Sequence, residues 1–137
     1  MRALWLAVLM PALVCAEGFT LTVHLTGFKS DRGKVAVALF DNAAAYPTKP
    51  EKARASVREA IVNGEARVEF KDLPAGTYAI AAYHDANGNG KMDTNFIGIP
   101  KEPTGASNDA KGRMGPPSFK AAQFSLSGNQ RVTVTMQ

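Results

Sequence analysis

FTLTVHLTG, residues 19–27, alternates without a break: Phe19, Leu21, Val23 and Leu25 fall on one face, Thr20, Thr22, His24 and Thr26 on the other. Successive side chains of a strand point to opposite faces, so this period of two marks a half-buried β-strand. Moving outward, FKSDRGK (28–34) supplies turn residues, and VAVALFD (35–41) is a nearly continuous apolar run, the pattern of a strand covered on both faces or close to it. These two strands are expected to pair as a hairpin.

Further along, SVREAIV (56–62) and ARVEF (66–70) flank Asn63-Gly64-Glu65, and Asn-Gly between β-rich runs is the strongest short-range hairpin signal. After a turn at Pro74 and Gly76, Tyr78, Ile80 and Ala82 alternate along another strand. QFSLS (123–127) and QRVTVTM (130–136) close the chain, joined by Gly128-Asn129. Between the second and third strands, NAAAYPTKPEKARA (42–55) reads as a surface connection. Pro47 and Pro50 forbid a ladder there, while Lys49 to Arg54 can form a helical turn.

The sum is about seven short strands and no long amphipathic helix, which predicts an all-β fold: an antiparallel Greek-key β-sandwich. One span stands apart. Residues 85–120 carry little strand pattern and hold Pro100, Pro103, Pro116 and Pro117 among many glycines. Long loops inside a domain are usually functional or disordered. Phe96, Ile97, Ile99, Met114 and Phe119 are apolar anchors that favour an ordered loop.

The first sixteen residues read as a secretory signal peptide, with Arg2 before the apolar run ALWLAVLMPALV and a small-residue site ending at Ala16. That run is too short to cross a bilayer, which takes about 20 apolar residues. The expected organisation is a signal at 1–16 and one domain over 17–137, periplasmic or secreted, with no transmembrane segment in the mature chain. Cys15 falls within the signal, so the mature chain has no cysteine for a disulfide or a thiolate metal site. It carries 15 Lys and Arg against 12 Asp and Glu, without a basic block, and nucleic-acid binding is not expected.

HDANGNGKMDTN (84–95) carries the strongest chemical signal. An EF-hand-type loop takes calcium with oxygens from positions 1, 3, 5, 7 and 9, glycine at 6, and a bidentate glutamate at 12. On that template Asp85 stands at 1, Asn87 at 3, Asn89 at 5, Gly90 at 6, the Lys91 carbonyl at 7 and Asp93 at 9. Position 12 is Phe96, which cannot ligate, so a remote carboxylate is needed; Glu102 and Asp109 are the candidates. With so few charges the site belongs to the weak extracellular class, with a Kd of roughly 0.1–1 mM. The structural alternative is that Asp, Asn and Gly gather here as turn formers.

His84 beside Asp85 could serve as an acid-base unit, but no nucleophile or activated water is fixed nearby, and structural histidines are expected at 24 and 84. Ser107, Ser118 and Ser125 lack a nucleophile-elbow context, and Gly88-Asn89-Gly90-Lys91 falls short of a phosphate loop. Lys101, Lys111 and Arg113 put positive charge along the long loop, where an acidic glycan or lipid headgroup could be bound without metal.

YHDANGNGKMDTN, GIPKEP and GPPSF, with DLPAGTYAI before them, together resemble an uncharacterised family of secreted bacterial proteins, domain of unknown function 2141. The likeness is strongest from Phe70 to Phe124. It implies a small extracytoplasmic β-sandwich and lends no catalytic residues. FKDLPAGTYAI also looks like the strand-turn-strand phrase of transthyretin-like and collagen-adhesin B-type sandwiches, which implies buried Leu73 and Tyr78. The function expected is a non-enzymatic binding or structural module, with calcium ordering residues 85–120 and an unknown cell-envelope or extracellular ligand. The alternative is the metal-independent acidic-ligand binder.

Overall fold

The computed structural model describes residues 18–88, 102–112 and 115–137. Its architecture is an all-β sandwich of two sheets, mostly antiparallel. The strands are β1 (Phe19–Thr26), β2 (Lys34–Phe40), β3 (Ala55–Ala60), β4 (Ala66–Leu73), β5 (Gly76–Asp85), β6 (Thr104–Ala106), β7 (Phe124–Leu126) and β8 (Gln130–Thr135). One sheet has the order β4-β1-β8; the other runs β3-β2-β5-β6, with β7 paired to the start of β5.

The alternation read in 19–27 is realised directly. Leu21, Val23 and Leu25 are fully buried, and they meet Val68 and Phe70 of β4, Val134 of β8, and the inward Val35, Val37, Leu39 and Ile80 of the second sheet. Leu73 and Tyr78 are buried in the same core. Removing this apolar surface from water, at about 25 cal/mol per Å², is the main force holding the sheets face to face.

Two expectations about pairing fail. The strand 19–27 does not form a hairpin with 35–41: β1 pairs with β4 and β8, and β2 with β3 and β5. Both strands bury an apolar face, and each buries it from opposite sides of the core. The Asn-Gly turn does form, with Asn63 at φ 55° and Gly64 at φ 77°, but only a single bridge, Val62 to Glu65, follows from it. Beyond it β3 and β4 part into different sheets; the Asp31 carboxylate accepts from both turn amides at 2.8 Å and fixes the corner. The antiparallel rule also has one exception, since β8 lies parallel to β1.

Residues 85–120 are not one loop. Thr104–Ala106 is an eighth strand on β5, Ser107–Asp109 makes a 3-10 turn, and Phe119–Ala122 is a single turn of helix, α1, capped by Ser118. Of the apolar anchors in that span, Phe119 packs edge-on against Tyr46 at 5.8 Å; Phe96, Ile97, Ile99 and Met114 lie outside the described residues. Phe119 joins a second, smaller core of Ala38, Phe40, Ala45, Tyr46, Ala79 and Ala122, which covers the outer face of the second sheet at one end. The expected helical turn within 49–54 is present as a 3-10 turn at Pro50–Lys52.

Candidate metal turn at the end of strand β5

Strand β5 ends at the motif. His84 and Asp85 are neighbours in a strand, so their side chains leave on opposite faces, and the alternation separates them completely. His84 turns inward: it is 2% exposed, its Nε2 lies 2.6 Å from the Arg32 carbonyl oxygen, and Phe28 meets its ring edge-on at 5.3 Å. The His-Asp acid-base pair that the sequence permits is therefore not assembled.

Asp85 turns to the outer face of the second sheet, yet its side chain is 0% exposed. There it accepts a hydrogen bond at Oδ2 from Nη2 of Arg58, whose side chain is 39% exposed. The register explains how residues on β3 and β5 meet with β2 between them. Ala36 of β2 lies opposite both Arg58 and Tyr83, and Lys34 lies opposite Asp85. Two strand spacings amount to roughly 10 Å, which a long arginine can span when the residue beneath it is as small as alanine. A hydrogen bond with Tyr83 holds the Arg58 guanidinium above its ordinary pKa; desolvation opposes this and Asp85 adds to it.

The chain enters β2 directly beside this point. Gly33 has φ 64°, and a Cβ there would stand 2.0 Å from the Asp85 carbonyl oxygen. Only glycine fits that close approach.

From Asp85 the backbone turns tightly: the Ala86 N–H donates to the His84 carbonyl at 2.9 Å and the Gly88 N–H to the Asp85 carbonyl at 3.3 Å. Asn87 sits exposed in this turn. The other foot of the span returns alongside. His84 N–H donates to the Pro103 carbonyl at 2.9 Å, and Glu102 Oε2 accepts from the Ala86 N–H at 3.1 Å. The carboxylate of Glu102 is thus tied to the backbone of the residue that follows Asp85. Asp85, Asn87 and Glu102 each make further interactions.

Of the expected ligands, Asp85, Asn87 and Glu102 lie among the described residues, with Asp85 on Arg58, Asn87 exposed and Glu102 on the Ala86 N–H. Asn89, Lys91 and Asp93 lie outside the described residues. Asp109, the other candidate for the remote carboxylate, is committed elsewhere: its Oδ1 accepts from the Thr135 N–H of β8 at 3.0 Å. β6 runs antiparallel to β5 with Thr104 opposite Tyr83 and Ala106 opposite Ala81, so Asp109 continues away from Asp85. Among the described residues no group of three or more His, Cys, Asp or Glu could by itself hold a metal. Of the basic residues on the long span, Lys111 is exposed, while Lys101 and Arg113 lie outside the described residues.

Two residues that organise the region carried no signal in the sequence. Arg58 reads as an ordinary exposed strand residue, and only the register joins it to Asp85. Ser107 is fully buried and bridges two elements: its Oγ accepts from Ile80 N–H at 2.9 Å and donates to the Ala122 carbonyl at 2.6 Å. His24, on the outer face of β1, pairs with Glu65 at 2.8 Å beside a shallow, open groove lined by Glu59, Val62 and Arg67.

The model of a family described as an uncharacterised protein conserved in bacteria, domain of unknown function 2141, matches residues 23–135. The chain belongs to that family. No curated protein and no solved structure matches it.

Proposed function

We propose that this member of the family acts outside the cytoplasm as a non-enzymatic binding or structural module, in which the turn beginning at Asp85 takes one weakly held calcium ion. The ion ties Asp85 to Glu102 across the stretch that separates them in sequence. One observation supports this reading: Glu102 is folded back onto the N–H of Ala86, the residue that follows Asp85. A calcium loop lacking its twelfth ligand needs such a remote carboxylate, because the ion requires six to eight oxygens.

Affinity follows from charge. Arg58 already offsets one of the two carboxylates, and Asn87 brings only a neutral amide. Such a site falls in the weak class, which calcium outside the cytoplasm can still fill. Export is expected from the N-terminal pattern of residues 1–16, and the absence of a catalytic role from the separation of His84 and Asp85 on opposite faces.

Limited proteolysis tests the reading. With millimolar calcium, cleavage after Lys101, Lys111 and Arg113 is expected to slow at least several-fold relative to chelator, and Glu102→Gln is expected to abolish the difference. Equal cleavage rates with and without calcium in the native chain would remove the ion from the account.

A further inference from the structure

The two lateral sides of the sandwich differ. Along one, β8 and β6 are stitched together: Thr104 and Gln137 exchange backbone bonds at 3.0 and 2.9 Å, and Asp109 accepts from the Thr135 N–H. Along the other, β4 is the edge of its sheet, and among the described residues the strand pairs with β1 alone. We propose that this open edge is a self-association surface, on which β4 of a second copy of the chain pairs antiparallel about a two-fold axis at Val68. The pairing needs no calcium.

Val62 and Glu65 exchange both backbone bonds across their turn, at 2.9 and 3.1 Å, so Glu65 directs its N–H and C=O away from β1. Successive residues of a strand alternate in that direction, and Arg67 and Glu69 therefore aim theirs outward as well. An edge of unpaired N–H and C=O groups is a template for another strand. In a two-fold pairing centred on Val68, Arg67 of each copy lies opposite Glu69 of the other and closes a ring of two backbone bonds with it. The ladder stops at Ala66, because Val62 occupies the edge at Glu65.

Charge selects that register. Glu65, Arg67, Glu69 and Lys71 are exposed on one face of this segment, while Ala66, Val68 and Phe70 are buried on the other. Centred on Val68, Arg67 meets Glu69 and Glu65 meets Lys71, each twice, with Val68 against Val68 on the core side. Moving the axis to Arg67 sets arginine against arginine and Glu65 against Glu69; moving it to Glu69 sets glutamate against glutamate and Arg67 against Lys71. Like charges directly opposite are destabilising, so charges that normally keep strands off an edge here repel the neighbouring registers and accept a second copy. Within one copy they are little used: among the described residues Arg67 forms no ion pair, and Glu69 a long one to Lys71 at 3.9 Å. Lys71 of the second copy arrives over the shallow groove of about 270 Å³ that Glu59 and Glu65 line. Val68 and Phe70 are already 4% and 6% exposed, so little apolar area is gained; backbone bonds and ion pairs hold the dimer, and salt weakens it.

Sedimentation velocity in low-salt buffer, over about a hundredfold range of protein concentration, tests this. The native protein is expected to pass from monomer to dimer as concentration rises and to return to monomer as salt is added. Arg67→Glu alone and Glu69→Arg alone each set like charges opposite one another and are expected to dimerise at least about tenfold more weakly. Both side chains are exposed, so neither change touches the core. Combined in one chain, the two substitutions exchange the signs, restore every opposite pair at the native net charge, and are expected to return dimerisation to within about threefold of native. A native protein that stays monomeric throughout would overturn the proposal. So would single variants that associate like the native protein, or a double variant no stronger than either single one.

Discussion

The guanidinium of Arg58 on β3 and the carboxylate of Asp85 at the end of β5 meet across the intervening strand β2, on which Ala36 lies opposite Arg58 and Lys34 opposite Asp85. The pair is asymmetric, because Asp85 is fully buried and Arg58 is more than a third exposed. Removing one partner from a fully buried pair costs about 3–5 kcal/mol, and the partial exposure of Arg58 reduces this. In chelator, Arg58→Ala is expected to destabilise by roughly 2–3 kcal/mol, since it strands a buried charge, and Asp85→Ala by less, since a lone Arg58 can be hydrated. Urea unfolding of both variants and their double mutant measures the difference; equal losses would contradict the asymmetry.

Calcium should stabilise the folded chain by mass action. At a tenfold excess over Kd the gain is about 1.4 kcal/mol, or several degrees in Tm for a domain of this size. Thermal scans with and without 10 mM calcium are expected to show that rise in the native chain and none in Glu102→Gln. In chelator the same variant should melt close to the native chain, because its amide oxygen still accepts from the Ala86 N–H.

Ser107→Ala leaves two buried backbone groups, Ile80 N–H and Ala122 C=O, without the hydroxyl that serves both. Each orphaned group costs about 1–3 kcal/mol. A loss of roughly 2–4 kcal/mol is expected in denaturant unfolding, with hydrogen exchange accelerating at Ile80 first.

Tyr46 is buried between Phe40 and Phe119 and donates its hydroxyl to the Ile80 carbonyl at 2.9 Å. Burial pushes its pKa well above the ordinary phenol value. In the unfolded chain the phenol ionises near pH 10, so above that pH the unfolded state binds fewer protons than the folded one, and stability falls as pH rises. Stability measured from pH 8 to 11 is expected to decline through this group in the native chain. Tyr46→Phe, about 1 kcal/mol less stable at pH 8 through loss of the hydrogen bond, should show a shallower decline.

The strands were legible in the sequence because burial of one face imposes a period of two, which Leu21, Val23 and Leu25 display without interruption. Their partners were not. Turn chemistry at Asn63-Gly64 is local and was realised, but which sheet each arm joins depends on where Ile61 and Ala66 find apolar neighbours, a long-range matter. β6 escaped notice because Thr104-Gly105-Ala106 is three residues long, lacks an alternating pattern and is recruited by the edge of β5. At the candidate site Glu102 and Asp109 read alike as remote carboxylates, and only the fold separates them, Glu102 accepting from the Ala86 N–H and Asp109 from the Thr135 N–H. Arg58 could not be anticipated, because strand register alone connects it to Asp85.

A crystal of the protein grown in calcium tests the central claim most directly. A density peak with about 2.3–2.6 Å contacts to carboxylate oxygens of both Asp85 and Glu102 is the result expected. A map from the same crystals with no such peak, Glu102 still on the Ala86 amide and Asp85 still on Arg58, would show that these carboxylates only pin the turn.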